Sequence, residues 1–175
     1  AAAVTWYGRS RFKKRALDVW LIYLMALFDD LSYNTVSSIC NRFVFRGSDT
    51  LRVLSYKSHS LSVIKALEKK GVLRPSRIYK VLEPLSFEVI LLIMAKAMVT
   101  APAGRAKLIK GRIKDFLQRY NGARASVKGD DLKAMGLKPS PEFRTILDKV
   151  LYGKIDGKLK TRADELLYAR KLIGQ

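Results

Sequence analysis

Six basic residues between positions 102 and 120 form the pattern in this sequence best suited to chemistry. Placed on a helix at about 100° per residue, Arg105, Arg112 and Arg119 recur every seventh position and line one edge of an apolar stripe. Lys107, Lys110 and Lys114 gather on the other edge. The stripe between them is Ala106, Ile109, Ile113, Phe116, Leu117 and Tyr120. Arginine forks onto phosphate oxygens and lysine acts as a mobile point charge, so two such rows suit a phosphate backbone. Long basic side chains also cover the rim of a core with their stems. Six cations against the single Asp115 favour phosphate contact. A second basic group, Lys13, Lys14 and Arg15, stands where a helix is expected to begin, the wrong end for the helix dipole. With Arg9 and Arg11 it is a candidate phosphate-binding arm, or a segment that packs against something beyond these residues.

The residues that would catalyse a reaction are not assembled. One histidine, His59, and one cysteine, Cys40, exclude a zinc site of the usual type. No glycine-rich phosphate-cradling motif occurs, and no Asp-x-Asp pair that could hold two Mg²⁺ ions. The doublets Asp29-Asp30 and Asp130-Asp131 read as helix caps before they read as ligands. Trp6, Tyr7, Tyr33 and Tyr56 could stack on bases, although each suits a core or its rim.

The 175 residues carry 34 Lys+Arg against 15 Asp+Glu, a net charge of +19. The excess is +4 over residues 1–46 and +5 in each of 47–84, 85–121 and 122–175. The whole body is therefore basic, which favours a broad surface laid along a polyanion over a short docking peptide. The sequence begins at Ala1 with no initiator Met and no signal pattern, which reads as a fragment or processed product. The longest apolar runs, 19–28 and 89–95, are shorter than the roughly 20 residues of a spanning helix, so no membrane partner is expected. The lone cysteine suits a reducing, cytoplasmic setting.

The elements that must position the basic rows are helical. Leu17, Trp20, Leu21, Leu24, Met25 and Phe28 repeat at three and four. Ser32 opens a second helix with Val36, Ile39, Cys40 and Phe43 inward. Ser48 or Asp49 caps a third, which runs through Leu51, Val53 and Leu54 and continues or restarts through Leu61, Ile64 and Leu67 to Gly71. Pro75 opens a short helix, and Ser86 caps one that is apolar nearly all round, as central helices are. Pro102 starts the basic helix, which Asn121-Gly122 ends. Asp130-Asp131, Ser140-Pro141 and Thr161-Arg162-Ala163-Asp164 begin three more. With no period-two alternation the fold class is all-α, a helical bundle with a short C-terminal helical tail. The expected division is 1–121 for an RNA-binding helical body and 122–175 for the tail.

The stretch Gly129-Asp130-Asp131-Leu132-Lys133-Ala134-Met135-Gly136-Leu137-Lys138-Pro139-Ser140-Pro141-Glu142 resembles a segment of bacterial tRNA nucleotidyltransferases, members of the poly(A) polymerase family. A helix at 143–151, the pair Asp156-Gly157 and a final helix opened by Thr161-Arg162 follow in the family's order. Residues 20–27 and 85–97 are similar to the helical body of the same proteins, particularly the branch that carries CBS domains. The resemblance implies body and tail of an enzyme whose catalytic head and neck lie elsewhere in the parent chain. That parent is expected to use Mg²⁺ and ATP or CTP. No catalytic residue, metal or cofactor carries over to this chain. What carries over is a role in 3′-end maturation, gripping the acceptor and T arms of tRNA, or another structured RNA, by its backbone. Arg124, Lys128, Lys133 and Lys138 beside the motif join the expected RNA contacts. A free-standing basic helical protein that binds DNA or ribosomal RNA, and a dimerisation module, are the competing expectations.

Overall fold

The computed structural model describes residues 2–10 and 16–174. Lys13, Lys14 and Arg15, with Arg11, lie outside the described residues. All regular structure among those described is helical, as the periodicity requires. The chain divides into two compact units, one comprising Ala1–Leu73 and Ile78–Gln118, the other Arg74–Arg77 and Arg119–Gln175.

The first unit is organised by a helix that can be buried from every side. Seven helices are introduced here in order: α1 (Ala2–Arg9), α2 (Val19–Leu27), α3 (Tyr33–Arg42), α4 (Gly47–Leu67), α5 (Pro75–Leu82), α6 (Phe87–Thr100) and α7 (Ala103–Asp115). The first turn of α5 is assigned to the second unit. Ser86 caps α6 by accepting from the Val89 N–H at 3.3 Å. Phe87 through Met94, and Ala97, are then buried without a break. A helix with no polar face cannot lie on a surface, and α1, α2, α4 and α7 pack around it. Arg9, expected in a basic arm with Arg11, Lys13, Lys14 and Arg15, is the last residue of α1, a helix the sequence reading did not foresee. Its Ala3 and Tyr7 are buried, and the Tyr7 ring meets Phe87 edge-on at 6.0 Å.

Polar contacts tie this ring of helices together. Asp29, just past α2, accepts from Tyr56 Oη at 2.7 Å and from Lys96 Nζ at 2.8 Å. Lys57 Nζ donates to the Asp29 carbonyl at 2.7 Å. Burial alone would raise the Asp29 pKa, but the Lys96 and Tyr56 hydrogen bonds outweigh it and hold it below the ordinary value. Arg52 of α4 bonds Asp18 at 2.7 Å and Asp49, and stands 3.3 Å from Glu88 of α6.

Several sequence expectations shift by part of a turn. Helix α2 turns Leu21, Ile22 and Met25 inward, and Trp20 is half exposed. In α3, Ser32 caps as expected, accepting from the Thr35 N–H at 3.1 Å, but Phe43 points outward. Helix α4 is one continuous piece that begins at Gly47, with no side-chain cap from Ser48 or Asp49. Leu51 and Leu61 face solvent. The helix ends at Leu67, short of Gly71.

The second unit contains α8 (Gly129–Ala134), α9 (Pro141–Ile155) and α10 (Arg162–Ile173). Its core is Val127, Leu132, Ile146, Val150 and Ala169, flanked by Phe143, Leu159, Leu166 and Tyr168 among others. The expected capping box is present at α10, where Thr161 Oγ1 accepts from the Asp164 N–H at 3.1 Å and Asp164 accepts from the Thr161 N–H at 2.9 Å. Pro141 stands in the first turn of α9. Gly136, at φ 85°, supplies the left-handed residue after α8.

Helix α3 ends in a strained way. Phe45 N donates to Cys40 O and Val44 N to Asn41 O, the pairing of a helix end that needs one left-handed residue. That residue is Val44, at φ 52°, β-branched and 85% exposed. A β-branched side chain is an outlier there and has no burial to offset the strain. Val44→Gly is expected to stabilise the first unit by about 1 kcal/mol. A urea midpoint that stays put or falls would contradict this.

Candidate nucleic-acid interface

Helix α7 presents the apolar stripe expected of it: Ile109, Ile113, Phe116 and Leu117 are buried, while Ala106 and Tyr120 are half-buried. Its two basic edges differ. Lys107 and Lys114 are exposed and Lys110 is half-buried. No hydrogen bond or ion pair among the described residues holds these three ammonium groups. They stand at spacings of three and four on one side of the helix, the geometry for following a line of phosphates.

The arginine edge is not a row of equivalents. Arg105 is exposed and lies 3.5 Å from Glu68. Arg112 is only 6% exposed. Its guanidinium donates to the Leu67 and Lys69 carbonyls from Nη1 at 2.7 and 2.8 Å, and to the Gly71 carbonyl from Nη2 at 2.8 Å. Those carbonyls belong to the end of α4 and the turn after it, where backbone acceptors run out of intrahelical donors. Arg112 is thus the C-terminal cap of α4 supplied from another helix. Burial lowers its pKa from the ordinary arginine value. Three of its five N–H donors are committed to these carbonyls, a structural role that the helical-wheel reading did not anticipate. Arg119 leaves the row for a different reason. The chain passes from α7 into a π-helical turn, Phe116–Tyr120, with more residues per turn. The seven-residue spacing then no longer returns to the same edge. Arg119 itself is exposed and belongs to the second unit.

In the second unit Arg124, Lys128, Lys133 and Lys138 are all exposed. Lys133 is paired with Asp130 at 2.9 Å. The loop bearing Arg124 and Lys128 is held from beneath by a group the sequence reading did not single out. Glu165 is 1% exposed. Its Oε2 accepts from the N–H groups of Ser126 and Val127, the latter at 3.0 Å. Its Oε1 lies 2.9 Å from Lys154 Nζ, which also donates to Ser126 Oγ at 2.9 Å. Burial alone would raise the Glu165 pKa. The Lys154 hydrogen bond and the two backbone N–H groups outweigh it and lower the pKa from 4.5. The signal that could have found this residue was an acid in the first turn of α10 beside the capping Asp164.

The acidic doublets do not make a metal centre. Asp130 is bound to Lys133. Asp131 accepts from the Lys128 N–H at 2.8 Å and from Arg162 at 2.8 Å. Among the described residues no group of three His, Cys, Asp or Glu could hold an ion. His59 Nδ1 sits 2.9 Å from the Ser55 carbonyl on an exposed face of α4, a helix-surface role.

Two measurements test these assignments. Arg112→Met leaves three carbonyls without their donor, so it is expected to destabilise the first unit by about 3 kcal/mol. Chemical denaturation followed by circular dichroism reads this, and wild-type stability in the variant would refute the cap. For Glu165 the lowered folded pKa means its contribution is complete above the unfolded value near 4.5 and is lost as pH falls through the folded value. Stability of the second unit should decline with acidification below about pH 5. Glu165→Gln should flatten that decline, as measured by thermal melts between pH 3 and 7. An equally steep decline in the variant would exclude Glu165 as its source.

No family model matches the chain and no solved structure matches it. The chain is 28% identical over 173 residues, 97% of its length, to an A-adding tRNA nucleotidyltransferase of Geobacter sulfurreducens. It spans 19% of that relative's length. No helix among the described residues is long and apolar enough to cross a membrane. The resemblance read from residues 129–162 therefore extends over nearly the whole chain, to one part of an A-adding tRNA nucleotidyltransferase.

Proposed function

We propose that this chain is an RNA-holding segment of a cytoplasmic tRNA nucleotidyltransferase. In this reading it grips tRNA by its phosphate backbone while residues beyond these 175 add nucleotides, with Mg²⁺ and ATP or CTP, to the 3′ end. The observation that carries the reading is the lysine edge of α7. Lys107, Lys110 and Lys114 are unengaged by any acid among the described residues, in a chain with a net charge of +19. Arg105 at the same helix, and Arg119, Arg124, Lys128, Lys133 and Lys138 in the second unit, are further proposed contacts. Lysine and arginine on phosphate position an RNA without reading its bases. Helical RNA, whose deep major groove excludes side chains, is recognised largely in that way. The similarity to an enzyme named for tRNA supports tRNA as the partner.

The test is a salt titration of tRNA binding by the chain and by Lys107→Glu/Lys110→Glu/Lys114→Glu, with duplex DNA as competitor. The variant is expected to bind tRNA at least ten times more weakly. Its slope of log affinity against log salt should be shallower by about 2 to 3, one counterion-release unit per lost phosphate contact. Unchanged affinity and slope would remove α7 from the interface. Preference for duplex DNA would overturn the tRNA reading.

A further inference from the structure

A cleft of about 410 Å³ opens within the second unit, between α9, α10, the 156–159 turn and residues 74–76. Its volume lies in the range of small-molecule sites, about 300–1,000 Å³. Two half-buried tyrosines, Tyr152 and Tyr168, line it. Three exposed cations also line it: Arg74, Lys149 and Lys158. No hydrogen bond or ion pair among the described residues holds the charged ends of these three side chains. The single acid of the cleft, Asp156, is already engaged. Its Oδ1 accepts from the Ser76 N–H at 2.8 Å and its Oδ2 from Ser76 Oγ at 2.9 Å.

Local backbone geometry builds this arrangement. Gly157, at φ 74°, turns the chain after α9. The Lys158 N–H then donates back to the Gly153 carbonyl at 2.9 Å, so Lys158 returns over the last turn of α9. At position 153 the Leu159 side chain packs directly over the glycine. A Cβ there would stand 2.9 Å from Leu159 Cδ1, and the Tyr168 ring is 3.8 Å away. Leu159 and Tyr168 pack over Gly153, and Tyr152 and Tyr168 face the same space.

Aromatic rings in a cleft rimmed by uncompensated cations suit a ligand with a flat apolar part and an anionic part. A nucleoside phosphate is that ligand: its base stacks on a ring and its phosphate meets lysine and arginine. A paired base is not presented in this way, because its faces are covered by its neighbours in the stack. We propose that the cleft takes one unpaired nucleotide, with its base against Tyr152 or Tyr168 and its phosphate held by Arg74, Lys149 and Lys158. The inference rests on the RNA-holding reading and adds to it a second, single-strand site. None of these five residues stands in the family-like motif of 129–142.

The experiment uses the 175-residue chain and Lys149→Glu/Lys158→Glu, two exposed positions whose charge reversal leaves the core intact. The probes are a labelled six-nucleotide single-stranded RNA, a blunt-ended RNA duplex, AMP and tRNA. The double variant is expected to bind the single strand at least tenfold more weakly and the duplex no more than threefold more weakly. Quenching of tyrosine fluorescence should accompany single-strand binding to the wild type. Displacement of the strand by AMP at equal nucleotide concentration supports the site with a free nucleotide as its source. Failure to displace supports it with an RNA strand as its source. Undiminished single-strand binding in the variant, or equal loss for strand and duplex, overturns the cleft assignment while tRNA binding by the wild type still stands. Wild-type chain that binds none of the four probes overturns both readings.

Discussion

The constraint on which the first unit depends is that the first two turns of α6, Phe87 through Met94, have no face turned to water. Phe87 through Met94 are buried in unbroken succession, so every side of the helix must be covered by another. That requirement fixes the neighbours: α1, α2, α4 and α7 each spend an apolar stripe on it. It also fixes which way α7 points. With Ile109, Ile113, Phe116 and Leu117 turned inward, the lysine edge must face outward. The exposed charge is thus a consequence of core packing, since the same helix cannot bury both its apolar stripe and its lysines.

A chain with 34 cations and 15 acids cannot neutralise itself, and what matters is where the few acids go. They go to joints. Asp29 ties the end of α2 to α4 and α6. Asp18, Asp49 and Glu88 converge on Arg52. Glu165 holds the loop before α8, and Asp131 holds Arg162. All of these acids but the exposed Asp18 accept hydrogen bonds in a half-buried or buried setting, where a charged contact is worth more than at an open surface. The outward lysines of α7 and the rim of the α9–α10 cleft receive none. The uneven distribution separates structural cations, such as Arg52, Arg112 and Lys154, from those that no acid among the described residues engages.

Most helix starts after residue 16 were legible from sequence because they rest on local chemistry, whereas α1 was not foreseen. Ser32, Ser86 and Thr161 cap as their types demand, and the uniform apolarity of 87–97 marks a central helix without reference to anything distant. What could not be read depends on contacts between segments far apart in the chain. Arg112 looked like Arg105 because both lie on one edge of a helical wheel. Only the position of the α4 C-terminus, some forty residues earlier, turns one of them into a cap. Trp20 and Phe43 fitted apolar periodicities, yet the partner helices meet a stripe displaced by part of a turn, leaving both rings outward. The π-helical turn at 116–120 breaks a seven-residue spacing that presumes 3.6 residues per turn.

The same reasoning explains why the cleft cations escaped a search for basic rows. Arg74, Lys149 and Lys158 lie in three separate segments, and no periodicity connects them. Lys158 reaches the cleft because the left-handed Gly157 reverses the chain after α9, and Arg74 because nearby Ser76 is bonded to Asp156 before that turn. A phosphate line and a single-nucleotide pocket therefore leave different traces. The first is periodic within one helix and visible in sequence. The second is assembled by turns, and its sequence trace is the glycine that such a turn requires. In this chain the informative position for the proposed pocket is Gly157, which carries no charge and lies at φ 74°.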